Sequence, residues 1–237
     1  GAGAEVTRNA VLASPQHRVK ASLRSAHMLP RLAIVDPDLT LGLPPSVTAA
    51  TGLDALTQLI EPYVSSRANA FTGMLCLEGI RQATAHLRQA FHNPADRHAR
   101  IAMAQASLYS GMALANAGLG AVHGFAAPIG GMYPAPHGAV CAALLPHVIR
   151  VNLQALEARQ PQSPSISRYR TVLEITGGLQ WIEETCRQLE IPPLSAYGIA
   201  PEHYPDITAK AAQAGSMKAN PISLTAAELT AILQLAA

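Results

Sequence analysis

The chain has 237 residues, enough to bury a large core, and only 14% of them are charged against 49% apolar and 4% aromatic. With alanine abundant, that balance favours closely packed helices. The formal charge is +2 with no run of Lys or Arg, so the footprint needed to grip a phosphate backbone is missing and nucleic acid is not an expected partner.

No apolar stretch in the sequence approaches the ~20 residues of a membrane-spanning helix. The N-terminus carries neither the charged nor the apolar region of a secretion signal, so the expected compartment is the cytoplasm. The chain opens on Gly and not Met, as a piece of a longer protein would. Cys76, Cys141 and Cys186 are odd in number and sit inside apolar or helical patterns, which predicts reduced, packed thiols.

In chain order, Val6 to Leu12 and Arg18 to Leu23 are β-compatible runs separated by Ser14-Pro15, and together predict a hairpin. Arg31 to Val35 predicts a third strand, stopped by Asp36-Pro37. From Pro44 the period becomes helical, with Val47, Ala50, Leu53, Leu56, Leu59 and Ile60 on an apolar stripe. Further helices are expected over Thr72–Phe91, Ala95–Asn116, Gly138–Leu156, Leu179–Leu189, Pro201–Ala214 and Thr225–Ala236. Gly118 to Gly138 reads as a structured loop and Gln160 to Pro164 as a surface loop.

Asp54 and Gln58, four residues apart in the Pro44 helix, lie on one face. A carboxylate in so apolar a stretch needs a partner, and a metal ion is one of few groups that can supply it. The other reading is a local cap or salt bridge for Asp54 and a solvent-facing Gln58. His123 and His137, each followed by Gly, add imidazoles to a carboxylate, the donor types of catalytic Fe(II) or Zn(II) centres. Either histidine alone reads equally as structural. His147 is expected to pack at a helix position.

These residues lie in runs that resemble the iron-containing (group III) alcohol dehydrogenases: Glu5-Val6-Thr7, Ile34-Val35-Asp36-Pro37, Ala49 to Thr57 around Asp54, Gly118 to Gly124 around His123, Pro136-His137-Gly138, Leu144 to Val148 and Asn220-Pro221. The resemblance covers essentially the whole chain. It implies a mainly α fold: a dehydroquinate synthase-like helical metal and substrate domain over 44–237, preceded by a short β segment, 1–43, belonging to a nucleotide-binding domain. The rest of that domain, with its Gly-rich phosphate loop, is expected before residue 1.

The resemblance further implies one divalent metal, iron before zinc or nickel, held by an Asp and three His. Asp54, His123 and His137 fall on that pattern, and Gln58 stands where the remaining His belongs. A further family histidine, implicated in handling substrate or proton, falls on Ala127. Gln is a neutral and poorer donor than imidazole, and loss of an acid–base imidazole slows proton relay by about 10²–10⁴-fold unless another group substitutes. No residue is singled out here as a catalytic acid or base.

Gly1-Ala2-Gly3 aligns with the tail of the family's Gly-Thr-Gly-Ser cofactor loop, and Lys20 with a lysine near the cofactor ribose. Gly1, Ala2, Val11 and Lys20 are thus the expected contacts to NAD or NADP. Leu114, Ala127, Tyr133 and Ser216, with Met217, are expected to wall the substrate pocket, although Leu114 alone reads as helix core. The implied activity is reversible, NAD(P)-dependent interconversion of an alcohol and an aldehyde or ketone in a homo-oligomeric enzyme. The rivals are a maleylacetate-reductase-like enzyme with little metal dependence and a non-catalytic binding protein on the same domain.

Overall fold

The computed structural model describes residues 2–14, 16–17 and 19–237. Strands β1 (Asn9–Ser14) and β2 (Val19–Arg24) pair antiparallel from Asn9 opposite Arg24 to Ser14 opposite Val19. The expected hairpin is therefore present, slightly later in sequence than the apolar runs placed it. The expected third strand is not: residues 31–35 are irregular, with Leu32 76% and Ile34 82% exposed. A strand needs a neighbour for its backbone groups, and among the described residues the sheet has two strands only.

Helix α1 (Pro45–Val64) opens on proline, whose fixed φ and missing N–H suit a first turn. Every residue from Gly52 to Pro62 is buried, because α1 lies at the centre, packed on α2 (Ala70–His92), α3 (Arg97–Ala117) and α5 (His137–Arg159). Asn69 caps α2 in a reciprocal bond with Thr72, and Asp96 caps α3 by accepting from the Ala99 amide. The helices α7 (Leu179–Gln188), α8 (Tyr204–Gln213) and α9 (Ala226–Leu235) follow where periodicity put them.

Three sequence expectations change. The Gly118–Gly138 stretch is not a loop but contains α4 (Ala121–Met132), buried along most of its length and packed on α5 and α8. A helix with Pro128 and three glycines is held by tertiary packing and not by propensity. Likewise α6 (Pro164–Thr176) starts at the Ser163-Pro164 pair read as loop, where Ser163 accepts from the Ser165 amide. Finally, α5 does have the length and hydropathy of a membrane span, but 72% of its apolar window is buried within the fold. An apolar helix at the centre of a packed domain looks the same by composition.

Gly138 fixes how α5 meets α1: a Cβ there would run into the Ala50 carbonyl. Gly138→Ala is therefore expected to push the start of α5 away and to destabilise the domain by about 1–3 kcal/mol, the usual effect of overpacking. Thermal unfolding checks this, with a Tm lowered by about 2–4 °C per kcal/mol for a domain of this size.

Candidate metal centre

The first turns of α4 and α5 both face the middle of α1. At α4 the sequence supplies no side-chain cap of its own, and distant residues take that place. Glu61 of α1 accepts from the Val122 amide at 2.7 Å, and the Asn220 side-chain oxygen accepts from the Ala121 amide at 3.1 Å. A carboxylate at a helix N-terminus satisfies free N–H groups and complements the helix dipole. Gly120 makes this approach feasible, since a Cβ there would stand 2.9 Å from both the Glu61 and the Asn220 oxygens. Asn220 is itself held by paired bonds with Asn152, which also donates to the Tyr169 hydroxyl.

This anchoring sets His123 in the first turn of α4. Its Nδ1 is 2.6 Å from Glu61 Oε2 and its Nε2 is 3.3 Å from Asp54 Oδ1. His137, at the start of α5, brings its Nε2 to 3.8 Å from the same Asp54 oxygen. Asp54 is 2% exposed, and although its Oδ1 is close to both rings it accepts no hydrogen bond. Its other oxygen accepts from the Ala2 amide at 3.4 Å. A buried carboxylate oxygen without a donor is costly, and here it faces two imidazole nitrogens, so this donor set fits a divalent cation.

Charge at the centre follows from its neighbours. Burial pushes the Asp54 carboxyl up, but His123, His137 and the Ala2 amide outweigh it and hold the pKa below the ordinary value. Burial lowers His137 to about 4, with help from His123 and Lys20 against the pull of Asp54. His137 is thus a neutral imidazole near pH 7, the form that ligates. Burial also disfavours the His123 charge, but Cys141, Glu61 and Asp54 overcome this and raise its pKa well above the usual imidazole value. The carboxylates carry that effect near neutral pH, since the Cys141 thiol is itself pushed up to about 12 by burial.

Two residues at the centre were not singled out from sequence. Glu61 is one, and its position seven residues after Asp54 puts it on the same face of α1 two turns along. Cys141 is the other. Its Sγ lies 3.8 Å from Nε2 of both His123 and His137, so it is more than the packing thiol expected. It follows His137 by one helical turn, which was the available signal. Cys76 and Cys186 are free, the first buried and the second partly so.

A cleft of about 1380 Å³ adjoins the centre, with Asp54, Gln58, His123 and His137 all on its wall. Gln58 donates from its amide nitrogen to the Ala2 carbonyl at 2.9 Å. Ala2, Val11 and Lys20 line the same cleft, as do Leu114, Ala127 and Ser216. Leu114 thus borders the opening and is not simply helix core. Tyr133 does not line it; its ring packs at 5.6 Å from that of His203. Met217 instead sits against Gly124 of α4, and Gly1 lies outside the described residues.

With this geometry in hand, the comparisons agree on one family. Residues 48–237 match the profile of the Fe-containing alcohol dehydrogenase family, C-terminal. The chain belongs to that family. It is 36% identical to a 1,3-propanediol dehydrogenase of Klebsiella pneumoniae, covering all of this chain and 62% of the relative. Alcohol dehydrogenase 4 of Saccharomyces cerevisiae is 34% identical with the same coverage. Among solved structures, a 1,3-propanediol oxidoreductase superposes with a TM-score of 0.87 at 35% identity, and an alcohol dehydrogenase from Oenococcus oeni with 0.88 at 32%. Each is covered over 63% of its own length, so the chain spans less than two thirds of the relatives it matches. The mainly helical domain expected from the resemblance is the fold found.

Proposed function

We propose that the chain is the metal- and substrate-binding part of an NAD(P)-dependent oxidoreductase that interconverts a small alcohol and its aldehyde or ketone. Residues 44–237 form that domain, and 1–43 form a β segment of the nucleotide-binding domain. The observation that carries the reading is the convergence of His123, His137 and the donor-less Asp54 Oδ1 on the wall of a large cleft.

In this reading Asp54, His123 and His137 hold one divalent cation, which when bound polarises the substrate oxygen as a Lewis acid. The chain's own residues do the positioning. Glu61 accepts the Nδ1 proton of His123 and so leaves Nε2 pointing into the centre. Ala2, Val11 and Lys20 form the cofactor side of the cleft, where the Lys20 ammonium favours an anionic dinucleotide. Leu114, Ala127 and Ser216 form the substrate side. Ala127 has no titratable group, so its place on the cleft wall contributes shape but no acid–base function.

The test is NAD(P)H consumption by the complete protein, supplied with a divalent metal, against short aldehydes and ketones. Turnover that a chelator abolishes is the expected result, and failure on every substrate would rule the reading out. A second reading, turnover with little help from a metal, draws on Ala127 and on the amide of Gln58 being turned to the Ala2 carbonyl. Activity that survives the chelator would favour it.

A further inference from the structure

We infer that Cys141 is a fourth donor of this centre, making a set of one carboxylate oxygen, two imidazole nitrogens and one thiolate sulfur. The inference rests on the reading of Asp54, His123 and His137 as metal ligands, and goes beyond it in the identity of the last ligand and in the metal preferred.

Four observations carry it. The Cys141 Sγ, the two histidine nitrogens and an Asp54 oxygen all lie within 4.8 Å of one another. The sulfur is equidistant from His123 Nε2 and His137 Nε2, at 3.8 Å, and Asp54 Oδ1 stands 3.3 and 3.8 Å from those nitrogens. A tetrahedral ion with bonds of about 2.0–2.3 Å separates its donor atoms by about 3.3–3.7 Å, so these four distances already lie close to that range, and the remaining pairs, bounded by 4.8 Å, need to close by at most about 1 Å. Second, Asp54 is 98% buried, given its 2% exposure, and its Oδ1 has no hydrogen-bond donor within this same group. Third, His137 and Cys141 are one turn apart on α5, so their side chains rise from one helix face and are locked together by it. Fourth, Gln58, which stands at the remaining ligand position, turns its amide nitrogen to the Ala2 carbonyl and offers only a neutral amide oxygen, a poorer donor than a thiolate.

The consequence is a softer site than carboxylate and imidazole alone provide. A thiolate with two imidazoles suits zinc, and cobalt as its spectroscopic substitute, in preference to iron. The charges also balance: one carboxylate and one thiolate against a divalent ion. On binding, the S–H bond breaks, the sulfur keeps the electron pair for the metal, and the proton leaves to solvent.

Cobalt(II) alone, added to the purified metal-free chain, tests this without any catalytic readout. The expected result is one cobalt per chain with visible ligand-field bands and a near-ultraviolet sulfur-to-cobalt charge-transfer band. Cys141→Ala should remove the charge-transfer band, keep ligand-field bands, and weaken cobalt binding at least tenfold. Cys141→Ser, close in volume, carries the same comparison if the alanine variant does not fold. Bound cobalt without the charge-transfer band, or a band that persists in the Cys141 variants, overturns the inference while leaving the three-ligand reading intact. No cobalt bound at saturation overturns both.

Discussion

Asp54→Ala is expected to abolish metal-dependent turnover while leaving the domain folded. Asp54 is the one carboxylate among the grouped donors and the one whose oxygen has no protein donor to satisfy it. Losing a supporting group beyond the ligands typically weakens metal binding by about 10–100-fold, and loss of the charged ligand itself should exceed that. The metal-free domain should stay folded with a modest loss of stability near neutral pH. The partners that hold the Asp54 carboxyl below its ordinary pKa, His123, His137 and the Ala2 amide, also favour the folded state near neutral pH and are lost with it. Calorimetric metal titration together with a denaturant melt separates the two effects. A variant that unfolds, or one that binds metal as before, would show that Asp54 is a structural carboxylate after all.

Glu61 should give the largest loss of stability at the centre. Its two oxygens serve two elements at once, one accepting from the Val122 amide and the other facing His123 Nδ1 at 2.6 Å, with Glu61 and His123 both buried. Glu61→Ala strands an amide at a helix N-terminus and a buried imidazole together, which is expected to destabilise by about 3–5 kcal/mol, as when one member of a buried pair is removed. Glu61→Gln is the more informative change. One amide oxygen can still accept from Val122, but the NH₂ group then meets His123 Nδ1 and favours the tautomer with its proton on Nε2. The nitrogen that faces Asp54 and Cys141 would then lose its lone pair, so a folded Glu61→Gln protein should bind metal about 10–100-fold more weakly. Equal metal affinity in Glu61→Gln and the parent chain would remove Glu61 from the positioning of His123.

The sequence made some of this architecture legible and hid the rest for identifiable reasons. The i, i+4 placement of Asp54 and Gln58 inside an apolar run announced a polar face on a buried helix, and α1 is that helix. The hairpin was readable because β1 and β2 supply each other's backbone partners locally. Residues 31–35 have equal β character but no strand alongside. Helix α4 was hidden because its stability comes from elsewhere: glycines and Pro128 mask the period, while Glu61 and Asn220 cap it from 60 or more positions away. By contrast the start of α6 is legible in Ser163-Pro164, a cap followed by a first-turn proline, although the two prolines of residues 161–164 equally suit a loop.

At the site, spacing reaches only within one helix. His137 and Cys141 were one turn apart, and Asp54 and Glu61 two turns, so both omitted residues could have been proposed from the period. That His123 completes the group depends on how α4 docks across α1, which no local pattern encodes. The resemblance to a family supplied that link, and the structure brings Ala2, Val11, Lys20, Leu114, Ala127 and Ser216 to one cleft while turning Tyr133 to His203.

The most direct measurement is anomalous X-ray diffraction from crystals of the chain grown with zinc, collected on either side of the zinc absorption edge. The expected map has one strong anomalous peak enclosed by Asp54, His123, His137 and Cys141. Zinc located elsewhere on the chain, or no ordered ion at saturating zinc, would contradict a metal centre at this position.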